Sequence, residues 1–334
     1  MNILDHKLKI TPLNIYIDPM VPVDKAIITH AHADHARPGN KNILATKETI
    51  ELMKLRYGEN CAQNFHQLKY GEKICINGIY ISLYPAGHIL GSAQVLIERK
   101  GERILVTGDY KTTFDATNKN FELIKCNTLV TEATFGLPVF QHPDPNQEIR
   151  KLISSVKNNL GYCHLVGTYA LGKAQRIIKL LRDNGYDETI LIHGSLEKMC
   201  NYYQKNMINL GKLKKVSDVK DKSFNDKIIL SPPSSLKDRW SRKFRQKILC
   251  QASGWMTIKQ RVKQSLIELP LVISDHGDWN ELTNTIMETG AEHIWVTHGQ
   301  EDGLVHWSKT KGLNAQPLSI QGRDEEINLS LIHI

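Results

Sequence analysis

No run of apolar residues in the 334-residue chain approaches the ~20 that a membrane-spanning helix needs, which excludes a helical span. The stretch Met1-Asn2-Ile3-Leu4-Asp5-His6-Lys7 has no apolar leader core and no small-residue cleavage site, so the expected compartment is the cytoplasm. The six cysteines, at 61, 75, 126, 163, 200 and 250, are widely spaced and contain no CxxC pair. They read as reduced structural thiols rather than a disulfide framework. Acid is scarce in one window: Lys205 to Lys263 holds sixteen Lys/Arg, four Asp and no Glu, a charge of +12 in a chain of net +8. The remainder is therefore −4. Charge runs are more often solvated helical faces. A basic block joined to a metal-binding remainder instead suits a polyanion, with nucleic acid the usual case.

What is present is concentrated in His30-Ala31-His32-Ala33-Asp34-His35, where four of six residues are metal-ligand types. The preceding Ala26-Ile27-Ile28-Thr29 is short, apolar and β-favouring, so the ligands begin where a strand ends. Continued extension would point His30, His32 and Asp34 one way and His35 another. Imidazole with carboxylate suits zinc and its first-row neighbours, whereas calcium and magnesium prefer oxygen shells.

The same order, strand and then ligand type, recurs along the chain. Asn14 to Ile17 ends at Asp18, a hairpin around Asn77-Gly78 leads to His88, and one around Lys100-Gly101 leads to Asp109. Thr128 to Thr131 ends at Glu132, and after a long interval Leu271 to Ser274 runs into His276 and His293 to Thr297 into His298. Strands packed side by side would gather these residues on one rim. Between Pro138 and about Lys263 the pattern changes to strand–helix alternation, with helices expected from Asn146 and from Leu171. That segment reads as an inserted α/β unit. The loop from Gly167 to Lys173 offers free N–H groups and a lysine that would suit a phosphate. His164, His193 and His293 lie in apolar strands and read as core residues.

Taken together, the His-x-His-x-Asp-His stretch, Gly87-His88, Gly108-Asp109 and Thr297-His298-Gly299 resemble the metallo-β-lactamase fold. The segment between Glu132 and His276 is similar to the β-CASP domain of its nucleic-acid-processing branch. The phrases THAHADHARPG (Thr29 to Gly39), PAGHILGSAQ (Pro85 to Gln94), TEATFGLP (Thr131 to Pro138), YALGKAQR (Tyr169 to Arg176), ASGWM (Ala252 to Met256) and SDHGDW (Ser274 to Trp279) resemble the bacterial ligase-associated DNA exonucleases, also labelled mRNA 3′-end processing factors. The resemblance implies an α/β architecture: a metallo-β-lactamase αββα sandwich from residues 1–140 and 269–334, with a β-CASP-like α/β insert at 141–268.

The resemblance also implies two divalent metal ions, zinc or manganese. One would be held by His30, His32 and His88 and the other by Asp34, His35 and His298, with Asp109 bridging and Asp18 orienting the cluster. Glu132 and His276 would match the branch's motifs A and B, where the acid holds the histidine beside the scissile phosphate. His276 is then the candidate general acid, and Glu132 and Asp34 complete the catalytic set. Lys173 and Ser274 are the candidate phosphate contacts. The implied function is a two-metal DNA nuclease, read as an exonuclease in DNA repair, associated with an ATP-dependent DNA ligase and a helicase and with no membrane. An RNA nuclease of the RNase J or 3′-end-processing type stands as the alternative, because in this branch a histidine at the position of His298 accompanies RNA-processing members. A third reading is a metal-dependent nucleic-acid-binding module.

Overall fold

The computed structural model of the chain describes residues 3–220 and 223–320. These form two compact units. The first takes in residues up to Phe114, Asn118–Pro138 and the chain from His276 onward; the second comprises Asp115–Thr117 and Val139–Asp275.

Alternating side chains build the first unit into four layers. Its five-stranded sheet runs in the order Lys9–Ile10, Ile15–Ile17, Lys25–Ile27, Asn40–Ala45, Ala62–Gln67. Its seven-stranded sheet runs Asn314–Pro317, His293–Gly299, Thr128–Ala133, Glu102–Val106, Ala93–Arg99, Ile79–Pro85, Lys73–Ile76. Between the sheets lie Ile10, Ile17 and Ile27 from one and Ile79, Ile81, Leu83, Val95, Ile97 and Ile104 from the other. The residues one position off point outward. Ala26, Ile28 and Ile43 carry helix Lys47–Tyr57 through Ile50 and Met53. Leu96, Leu105, Leu129 and Ile294 meet helices Trp279–Thr289 and Glu301–Thr310 through Leu282, Ile286 and Leu304. Period-two alternation thus buries both faces of each sheet and gives the αββα order.

Both expected hairpins are present. Asn77 and Gly78 (φ 50° and 75°) and Lys100 and Gly101 (φ 50° and 86°) take the left-handed pair that a two-residue turn requires. Ile76 therefore pairs with Ile79, and Arg99 with Glu102.

The second unit is built on a six-stranded, wholly parallel sheet in the order Leu213–Lys215, Ile190–Ile192, Ile228–Ser231, Cys163–Gly167, Lys247–Ala252, Leu269–Leu271. Cys163–Gly167 is buried at every position, as a central strand covered on both faces must be. Helices Pro145–Asn158, Lys173–Asp183 and Gly194–Lys205 follow the strand–helix alternation expected from the sequence. The last strand differs from expectation. It occupies Leu269–Leu271 rather than Leu271 to Ser274, because the Val272 N–H donates to Glu148 Oε2 at 3.0 Å instead of to a neighbouring strand. This strand pairs with Lys247–Ala252, so the unit continues past residue 268 to Asp275.

Candidate metal centre

The histidine cluster and the groups around it lie within the first unit. The histidine-rich stretch is not extended. His35 N–H and Ala36 N–H both donate to His32 O, at 3.2 and 2.8 Å, closing a tight turn over residues 32–36. Ala31 and Ala36 are fully buried, and the Ala31 carbonyl accepts from Arg56 Nη1 at 2.5 Å, which ties the turn to helix Lys47–Tyr57. The turn corrects the expected alternation. It swings His35 inward to 2% exposure and leaves the Asp34 side chain 70% exposed, with its carboxylate 4.0 Å from His35 Nε2.

A buried relay sets the histidine rings. Asp18, at the end of Ile15–Ile17, accepts the Thr29 N–H on Oδ1 at 2.8 Å and the Thr29 hydroxyl on Oδ2 at 2.5 Å. The hydroxyl proton being spent there, Thr29 Oγ1 accepts from His30 Nδ1, 3.0 Å away. His35 Nδ1 lies 2.7 Å from Asp18 Oδ2 and donates to it. Both rings therefore carry their neutral-form proton on Nδ1 and turn a bare Nε2 inward, which is the tautomer a metal ligand needs. Gly108 (φ +58°) makes room for the relay, since a Cβ there would lie 2.9 Å from Thr29 Oγ1.

The inward nitrogens converge on Asp109. Its Oδ2 is 3.5 Å from His30 Nε2, 3.4 Å from His35 Nε2 and 3.8 Å from His88 Nε2. His88 Nε2 is 3.0 Å from His32 Nδ1, so a ring proton or a cation must lie between those two lone pairs. Three groups with metal-ligand spacing share Asp109: His30, His32, His88 and Asp109; His35, Asp109 and His298; and Asp109, Glu132 and His276. His298 is exposed and held in left-handed backbone (φ 54°). Asp34 enters none of them.

Electrostatics favours a cation here. Burial, and then the positive field of His35, pushes His30 well below its ordinary range. Burial opposes charge on His35 too, yet the Asp109 and Asp18 carboxylates hold it well above. For Asp109 burial is likewise outweighed, by His35 and His276, which hold it well below the usual carboxylate range. His30 Nε2 and His35 Nε2 are buried without a hydrogen-bond partner. Inward-facing imidazole nitrogens beside a buried carboxylate fit divalent first-row ions, which would take the place of the proton that the carboxylates favour on His35.

Beside this cluster stands an acid–histidine pair. His276 Nδ1 is 3.0 Å from Glu132 Oε2 and 3.9 Å from Asp109 Oδ2. Glu132, 2% exposed, also accepts the Tyr110 N–H at 2.7 Å and the Thr134 hydroxyl at 2.5 Å, so its orientation is fixed from three sides. A second carboxylate was not singled out from the sequence. Glu281 accepts from Thr112 and Thr113, through both backbone N–H groups and both hydroxyls, and from Lys111 Nζ at 2.7 Å. Lys111 Nζ in turn reaches the His276 carbonyl at 3.3 Å. Glu281 thereby ties the segment after Asp109 to the base of His276. The Asp278/Glu281 spacing reads only as a helix capping box, which it also is.

The two candidate phosphate contacts lie in the second unit. Lys173 is 4% exposed, with Nζ 2.8 Å from Asp275 Oδ1 and 4.8 Å from the centre of the Tyr169 ring. Ser274 is 4% exposed. Of the three core histidines, His164 is buried and bonded to Ser155 Oγ at 2.8 Å. His193 is half-buried and caps Gly194–Lys205 through the Ser195 N–H. His293 is exposed, because it opens its strand at the edge of the apolar layer.

No family model matches the chain. A probable DNA ligase of Opitutus terrae is 23% identical over 332 residues, 98% of this chain and 31% of that protein. Endoribonuclease YSH1 of Gibberella zeae is 31% identical over 187 residues, 55% of this chain and 22% of that protein. The chain thus spans less than a third of the length of these relatives. The crystal structure of a protein of unknown function from Enterococcus faecalis V583 superposes with TM-score 0.57 at 12% identity, over 82% of this chain and 75% of that one. These similarities support the metallo-β-lactamase/β-CASP superfamily. In this superfamily the αββα unit is the metallo-β-lactamase fold and the parallel six-stranded unit is the α/β insert. Among the described residues no helix is long and apolar enough to cross a membrane.

Proposed function

We propose that the chain is a two-metal phosphodiesterase acting on nucleic acid, with DNA as the first reading and exonucleolytic cleavage in repair as its setting. The observation that carries this is the shared carboxylate: Asp109 belongs both to the group with His30, His32 and His88 and to the group with His35 and His298. His30, His32 and His88 would hold one zinc or manganese ion and Asp34, His35 and His298 the other, since His-rich sites discriminate weakly among first-row ions. Bound there, divalent cations supply Lewis acidity toward a phosphoryl oxygen and a nucleophilic water at neutral pH. Asp18 fixes His35 directly and His30 through Thr29, so ring orientation precedes loading. His276, held by Glu132, is suited to deliver a proton to the departing sugar oxygen. Lys173 and Ser274 would steady a flanking phosphate.

Support for DNA comes from the similarity of 98% of the chain to a protein named as a probable DNA ligase, which also supports association with a ligase. The helicase has no counterpart in the relatives named above. An RNA substrate is favoured by one specific observation, the higher identity, 31% over 55% of the chain, to a protein named as an endoribonuclease. The deciding experiment is metal-supplemented digestion of matched, end-labelled single-stranded DNA and RNA, with Asp109→Ala as blank. Mononucleotides released from DNA establish the first reading and preferential RNA cleavage the second. Absence of metal-dependent cleavage of both overturns the proposal.

A further inference from the structure

The second unit carries a dense run of cations without carboxylate partners among the described residues. Between Lys237 and Lys247 there are six Lys/Arg and one acid, Asp238. Asp238 is committed elsewhere: its carboxylate caps the short helix Arg239–Lys243 by accepting the Trp240 N–H at 2.8 Å. Among the described residues no carboxylate lies within ion-pair distance of Arg242, Lys243 or Arg245. All three are exposed.

They are also gathered round one hollow. A cavity of about 740 Å³ is walled by Arg242, Lys243, Arg245, Gln246 and Asn225, over a floor of Phe224, Phe244 and Cys163. Among the described residues no acidic side chain lines it. The floor is rigid: Phe224 and Phe244 pack edge to face at 4.8 Å, and Trp240 packs on Phe244 at 5.0 Å. Lys243 Nζ sits 4.6 Å from the Trp240 ring centre, so one cation is held in place rather than swinging free. The hollow opens at the N-terminal edge of the parallel sheet, since Cys163 and Lys247 are paired first residues of their strands. Open parallel sheets place their usual ligand crevice at the opposite, carboxyl edge. This is therefore a separate site within the unit.

We infer that this N-terminal-edge hollow is a second contact for a nucleic-acid backbone, with the Arg242 and Arg245 guanidinium groups and the Lys243 ammonium on successive phosphodiesters. The inference rests on the nuclease reading for the identity of its polyanion. Two guanidinium forks, one ammonium and the amide donors of Gln246 and Asn225 offer donors and positive charge to phosphate oxygens. Contacts to phosphates carry no sequence information, so binding through these cations is sensitive to salt.

The test is fluorescence anisotropy in EDTA, with labelled single strands of about 30 and about 6 nucleotides, lengths above and within a single-site footprint. Arg242→Glu/Lys243→Glu/Arg245→Glu is expected to weaken binding of the long strand about 30-fold or more. It should also flatten its log-affinity against log-salt slope by about 2, at roughly 0.7 per lost phosphate contact. The short strand should lose much less. Arg245→Ala, a single exposed change whose fold is checked by its circular dichroism, should give a loss of about 3-fold with a slope change of about 0.7. Unchanged binding of the long strand by the triple variant overturns the inference. So does equal weakening of both lengths, which would place these cations at a single common site. Preferential binding of an acidic peptide over the long strand would overturn it in favour of a protein partner. Failure of the nuclease reading shows separately, as absence of metal-dependent cleavage by the parent protein.

Discussion

In the first unit the ionisable groups at the strand ends, His298 apart, are buried and bonded to one another, while in the second Arg242, Lys243 and Arg245 stand in solvent without carboxylate partners among the described residues. At the metal centre Asp18, Asp109, Glu132 and Glu281 each fix a particular neighbour, and removal of one leaves an uncompensated partner in a dry site. At the basic edge each cation acts as an independent screened charge. The first arrangement yields large effects on chemistry, metal loading and stability. The second yields graded, salt-dependent effects confined to binding.

The sharpest contrast is expected at His276. His276→Ala should slow hydrolysis of an alkyl-type phosphodiester such as DNA by about 10³-fold while leaving metal content intact, the scale of a lost general acid. With a 4-nitrophenyl ester, whose leaving group needs no proton, the loss should shrink to a few-fold. Equal losses on both substrates would assign His276 a structural role.

Glu281 gives the next effect, in stability. Burial opposes its ionisation, but Lys111 and the surrounding N–H groups hold it down at about 2. A carboxyl depressed in the folded state stabilises fully above its unfolded value near 4.5 and loses that contribution as pH falls toward 2. The contribution amounts to about 3 kcal/mol at neutral pH. Urea titrations at descending pH should show it disappear through that window, and Glu281→Gln should remove that part of the pH dependence. An identical pH profile for parent and variant would contradict the assignment. A smaller loss is expected for Asp18→Asn, which leaves the ligands in place but frees their rings. Metal affinity measured by competition with a chelator should fall about 10- to 100-fold.

The rim was legible in the sequence because strand and ligand type recur in register. A short apolar run fixes the strand, and the next polar residue must then emerge at its end, as Asp18, His30, Asp109, Glu132 and His298 do. What the run cannot specify is the path after the strand ends. The closed turn at 32–36 depends on Arg56 reaching Ala31 O from a helix 25 residues away, and it turns His35 inward and Asp34 outward, against the alternation expected of an extended strand. Glu281 and Lys111, separated by 170 positions, carry no local signature beyond a capping box. Lys173 shows the converse: a helix-start lysine suggests a free phosphate contact, and the fold supplies it with Asp275. In the second unit the charge excess was plain in composition, whereas its gathering around Phe224 and Phe244 requires the sheet edge to exist.

The central claim is that Asp109 serves two metal positions at once, and it is tested most directly by metal stoichiometry. The parent protein and Asp109→Ala would be dialysed against limiting zinc or manganese and analysed by plasma mass spectrometry, with circular dichroism confirming the fold. The account predicts two ions per chain in the parent and fewer than one in the variant. Two ions retained by Asp109→Ala would contradict it.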